Sequence, residues 1–86
     1  MQLDIEPAAR KTLNRMQLKQ AAQLVERLMA IAVNPFAPHA NVERMKGAAD
    51  AFRLRQGDWR AVYWVDRKAQ IMRVTRIAPR GRVYRR

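Results

Sequence analysis

Cysteine is absent from this 86-residue sequence, and there is a single histidine. Disulfides and thiolate chemistry are therefore excluded, and a zinc site, which draws on Cys and His, is argued against. A chain without cysteine fits a cytoplasmic location, and that is the expectation here. No apolar run approaches the ~20 residues that cross a bilayer, so no membrane partner is expected. The N-terminal MQLDIEPAAR has no charged start followed by an apolar stretch, so no secretory signal is read from it. Internal repeats, low-complexity segments and linkers are missing too. A chain of this length makes one small domain, residues 1–86, with a modest core.

Acid is the other scarcity. Seven Asp and Glu face eighteen Lys and Arg, for a net charge of +11. Residues 1–43 carry a net +1 and residues 44–86 a net +10. Charge this lopsided makes a field on one part of the molecule rather than a uniform solubilising coat, and it suits a polyanion. Hydrophobic residues still make up 49% of the chain, which argues for a globular domain over a disordered one.

Patterning predicts the elements. Met1 to Ile5 reads as a short strand with Leu3 and Ile5 on one face. Pro7 suits a first helical position, where its missing N–H costs nothing. A helix then runs to about Met16 and buries Ala9, Leu13 and Met16. A second helix spans about Leu18 to Ala32, with Leu18, Ala21, Leu24, Val25, Leu28, Met29 and Ala32 at helical spacing. Gln17 is the expected bend between them, and Asn34-Pro35 ends the second helix. His39 lies in the following loop and reads as an ordinary loop residue, because no neighbour in sequence orients it for acid–base work. Val42 and Met45 pin an extended segment to the core. Three antiparallel strands follow: one from Ala51, a second from Trp59 to Val65 after a Gly57-Asp58 turn, and a third from Ile71 to Ile77. The fold class is thus α+β: a short N-terminal strand, an αα-hairpin, and a three-stranded antiparallel sheet covered by helices on one face.

Period two sorts the arginines. Arg53 and Arg55 share a strand face, while Phe52 and Leu54 point to the core. Arg73 and Arg76 have opposite parity, so at most one is expected to join them. Arg80 and Arg82 lie beyond Pro79, where parity gives no direction. Arginine forks match phosphate bidentately and keep their charge at any relevant pH. Trp59, Tyr63, Trp64 and Tyr84 are interleaved with these cations, and such pairs can stack bases and grip phosphates. Tyr63 and Trp64 read as core residues of a central strand. Tyr84, in the basic tail RGRVYRR, has no core pattern asking for it and reads as functional.

The stretches MKG, FRLRQGDWRAVYWVD and RVTRIAPRGRVYRR, with EPAARKTL, a second helix and NP before them, resemble the RelE/ParE toxin superfamily and within it the RelE-like mRNA interferases. The resemblance covers essentially the whole chain. It implies a RelE-like fold and the toxin of a type II toxin–antitoxin system. It also implies a ribosome-dependent endonuclease that cuts mRNA in the ribosomal A site. There the 2′-hydroxyl attacks the adjacent phosphate, leaving a 2′,3′-cyclic phosphate and a 5′-hydroxyl, with no metal or cofactor. Carried onto this sequence, the resemblance makes Arg60, Arg80 and Tyr84 the catalytic candidates. Arg60 grips the scissile phosphate, Arg80 stabilises the transition state or supplies a proton, and Tyr84 stacks a base or helps proton transfer. Lys46, Arg53, Arg55 and Arg82 are the RNA-binding candidates. Two departures stand out: Pro79 replaces a frequent tail histidine, and Arg53 and Arg55 replace lysines of other relatives. The implied partners are a cognate antitoxin, in a hetero-oligomer, and the 70S ribosome with its mRNA. Two alternatives stay open: a ParE-like inhibitor of DNA gyrase, and a catalytically degenerate RNA- or ribosome-binding module.

Overall fold

A computed structural model describes residues 1–81. The elements are β1 (Gln2–Ile5), α1 (Pro7–Arg15), α2 (Leu18–Val33), β2 (Val42–Arg44), β3 (Ala51–Gln56), β4 (Trp59–Asp66) and β5 (Ile71–Pro79). They form one sheet of five strands in the order β1-β5-β4-β3-β2. The α+β class stands, and the three-stranded description is corrected. Val42–Arg44 adds an antiparallel edge strand on β3, and β1 adds a parallel one on β5. The strand at Met1 to Ile5 and the extended segment at Val42 were expected, but their places in the sheet were not legible locally. β2 is only three residues long, and β1 pairs Asp4 with Arg73, far away along the chain.

Local chemistry explains the helices. Pro7 opens α1 with its ring already at helical φ. Met16 is extended, with ψ 159°, and Gln17 is also outside the helical region, with ψ 139°, and this break separates the helices at the expected place. Ala9, Leu13 and Met16 are all buried. In α2 the buried set is Leu24, Leu28, Ile31 and Ala32. Leu18 and Met29, expected in the core, stand 88% and 59% exposed. The stripe that reaches the sheet is therefore narrower than the apolar pattern, and it is rotated toward Ile31.

Gly57, at φ 57°, begins the tight β3–β4 turn, a conformation that a side chain disfavours. One face of the sheet packs on the helices through Phe52, Leu54, Ala61, Tyr63, Val65, Met72, Val74 and Ile77. Among the described residues, no helix is long and apolar enough to cross a membrane.

Tyr63 sits at the centre of this core. Its residue exposure is 0%, its ring stacks on Phe52 with centroids 5.3 Å apart, and its hydroxyl is buried without a hydrogen-bond partner. Burial pushes its pKa up to about 12, against a smaller downward pull from the Arg27 charge. The folded value thus lies above the unfolded value of ~10. The stability held by the neutral phenol is complete below pH ~10 and is lost as the pH climbs toward 12, because only the unfolded chain ionises there. The loss should reach ~2–3 kcal/mol. Urea unfolding at pH 8 and at pH 11.5 should show this fall in the wild type, and a clearly smaller one in Tyr63→Phe. Equal falls in the two proteins would contradict the assignment.

Candidate nucleic-acid interface

The face of the sheet away from the helices carries the arginines. Pairing sets them in rows across the strands. One row runs Arg55, Arg60, Ala78. The next runs Glu43, Arg53, Val62, Arg76. A third runs Ala51, Trp64, Arg73, Asp4. Directly opposed residues point to the same side, so all three rows share one face.

Arg73 and Arg76 therefore lie on the same face, against the expectation from parity. The cause is a β-bulge. Val62 pairs with Arg76 while Tyr63 pairs with Val74, which leaves Thr75 as the extra residue. One added residue shifts the alternation by one and brings Arg76 round. A bulge has no composition signal here, because a Thr reads as an ordinary strand residue.

Arg60 is the unusual member. It is only 8% exposed, the one buried charged residue among those described. One guanidinium nitrogen donates to the carbonyls of Gly57 at 3.0 Å and Trp59 at 2.8 Å. Its Nε is buried without a partner, and no described carboxylate forms an ion pair with it. A buried cation without a counter-charge is expensive, so proteins rarely keep one unless an anion arrives. Arg55 stands directly opposite it on β3 and is exposed. The backbone N–H of Arg80 donates to the Asp58 carbonyl at 2.6 Å, which ties the exposed Arg80 beside the same turn. Arg55, Arg60 and Arg80 thus converge at the hairpin end of the sheet.

Other arginines are committed to acids. Arg53 bonds Glu43 across β2–β3, and this contact, with the charge behind it, lowers the Glu43 pKa. Arg73 meets Asp4 at 3.0 Å. Arg67 forks onto Asp50 at 2.7 and 3.0 Å, lowering that carboxyl, and stacks over Phe36 at 4.1 Å. That cluster braces the opposite end of the sheet.

Lys46 is exposed in the loop after β2. The preceding residue, Met45, bonds Ala51, so Lys46 lies by the Ala51 row. Four strand residues, ~13 Å, separate that row from Arg55. The structure thus brings Arg60 to Arg80 and Arg55, with Arg53 one row inward, and leaves Lys46 at the far end. Tyr84 and Arg82 lie outside the described residues. Sequence reasoning missed Trp64, which is 43% exposed on the arginine face. Its parity with Arg60 was the available signal.

A family model described as the ParE toxin of a type II toxin–antitoxin system, parDE, matches residues 3–84. The chain belongs to this family. It is accordingly a toxin of a toxin–antitoxin system, within the RelE/ParE superfamily. Several solved toxins share its fold. RelE in the archaeal RelE–RelB complex from Pyrococcus horikoshii is 24% identical, with a TM-score of 0.80, covering 94% of this chain and 96% of that one. The isolated E. coli RelE toxin is 22% identical, also with a TM-score of 0.80, covering 94% and 85%. A YoeB/ParE toxin from Agrobacterium tumefaciens is 20% identical with a TM-score of 0.75, covering 92% and 98%. At these identities the likeness is one of fold. No curated protein matches the chain.

Proposed function

We propose that this toxin is a ribosome-dependent mRNA endonuclease acting in the cytoplasm. The observation that carries the reading is Arg60, a buried cation in no ion pair among the described residues, set between exposed Arg55 and Arg80. A phosphate diester is the anion such a fork fits. In the reaction the substrate 2′-oxygen bonds to phosphorus while the bond to the 5′-oxygen breaks. The 2′-hydroxyl loses its proton, and the departing 5′-oxygen gains one. Charge builds on the phosphoryl oxygens, and fixed cations there lower the barrier. Arg60 holds the phosphate, Arg80 neutralises the developing charge, and Tyr84 serves the proton transfers or stacks a base. Arg53, Arg55 and Lys46 line the path of the strand, and Arg82 is a further RNA-binding residue in this reading.

The antitoxin is the second partner. An acidic segment suits the charged half of the chain, and an apolar one suits the helices. Leu18, Met29 and Val33 stand exposed on α2, and a cleft of about 490 Å³ between the helices is lined by Leu13, Met16, Leu18 and Val25. Relatives solved with RelB antitoxins support the reading of a hetero-oligomer with a cognate antitoxin.

A second reading, gyrase inhibition, draws on the ParE family match. Induction in a bacterial host separates the two. Transcript cleavage without a DNA-damage response supports the nuclease. A DNA-damage response with intact transcripts supports gyrase as the target.

A further inference from the structure

Trp64 has no role in the site built above. It lies on β4, on the same face as Arg60 and Val62, and is 43% exposed. A tryptophan is an expensive choice for a solvent-facing strand position, where a polar or β-branched residue keeps the strand equally well. On one side stands Ala51, which is fully buried, so the surface exposed at this row belongs to the indole itself. On the other stands Arg73, held by Asp4 at 3.0 Å. Among the described residues, no aromatic ring or cation packs on the indole.

The surroundings are cationic. Arg53, Arg55, Arg60, Arg73 and Arg76 share this face, against Glu43, Asp4 and Asp66. An apolar plate within a basic field is what an unpaired nucleobase on a phosphate backbone needs. Trp64 is four residues along β4 from Arg60, ~13 Å, which RNA crosses in a few nucleotides.

We propose that Trp64 is a base-stacking platform for single-stranded RNA, gripping a base that flanks the phosphate held at Arg60. The proposal deepens the nuclease reading and rests on it for the identity of the strand. Arg73, oriented by Asp4, edges the platform and faces the backbone.

The test is binding of a labelled oligouridine of about ten nucleotides to the purified toxin, followed by fluorescence anisotropy at low salt. Trp64→Ala should weaken binding by at least about fivefold, and Trp64→Phe should stay close to wild type. Affinity for a DNA duplex, whose bases are already stacked, should not change in either variant. Circular dichroism and thermal melting of both variants should match wild type, since the side chain is outside the core. Unchanged RNA affinity in Trp64→Ala overturns the proposal, as does an equal loss on duplex DNA, or no measurable RNA binding by the wild type. Weakened neutralisation by antitoxin with unchanged RNA affinity also overturns it, assigning Trp64 to the protein interface. The two readings fail separately. Cleavage on ribosomes with a Trp64-independent RNA affinity sinks only the platform. A Trp64-dependent RNA affinity without cleavage sinks only the nuclease.

Discussion

Arg80→Ala should lower the rate of ribosome-dependent mRNA cleavage by ~10²–10³-fold, the usual loss when one preorganised donor to a developing oxyanion is removed. Growth arrest on induction should vanish with it. The side chain is exposed at the end of β5, and what holds the residue in place is its backbone N–H on Asp58, which alanine keeps. The melting temperature should therefore stay within a degree or two, and binding to ribosomes should fall only modestly. This separates Arg80 from Arg60. Arg60 is buried and bonds two turn carbonyls, so its removal mixes lost chemistry with a loosened hairpin. Full toxicity in both Arg80→Ala and Tyr84→Ala would remove the nuclease assignment.

Leu28→Ala should destabilise the domain by ~2–5 kcal/mol, whereas Leu18→Ala on the same helix should cost less than ~0.5 kcal/mol. Leu28 is 0% exposed beneath the sheet, and Leu18 is 88% exposed. Small domains hold only ~5–15 kcal/mol in total, so the first change should remove a large share of the stability. The second should act elsewhere, by weakening the antitoxin complex. Urea unfolding of the free variants and titration with antitoxin measure the two effects. Equal stability losses would mean that the exposed stripe of α2 is packed in solution.

Most of the fold was legible because the signals were local. Ala9, Leu13 and Met16 repeat at helical spacing, Pro7 starts a helix, and Gly57-Asp58 turns a hairpin. What escaped were features set by distant partners. β1 joins the sheet beside β5, and no residue near it records that. Val42–Arg44 becomes a strand only because β3 offers an edge. The Thr75 bulge reverses the phase of Arg76 without any Gly or Pro to announce it. Leu18 and Met29 satisfied the helical pattern and were read as core. An apolar stripe reports burial, and burial against a second protein looks the same in sequence as burial against the sheet.

The candidate site was legible in part. Parity correctly set Arg53 and Arg55 on one face, with Phe52 and Leu54 on the other. It also placed Trp64 with Arg60, and that was overlooked because large residues in a central strand usually meet a core. The burial of Arg60 had no sequence signal. The guanidinium is bonded to the carbonyls of Gly57 and Trp59, and its burial is the feature that points most strongly to an anion.

The most direct measurement is primer extension on a defined mRNA incubated with the purified toxin, with and without programmed 70S ribosomes. The nuclease reading predicts cuts only when ribosomes are present, at fixed positions within the A-site codon. Absence of those cuts, together with inhibition of gyrase supercoiling by the same preparation, would contradict it.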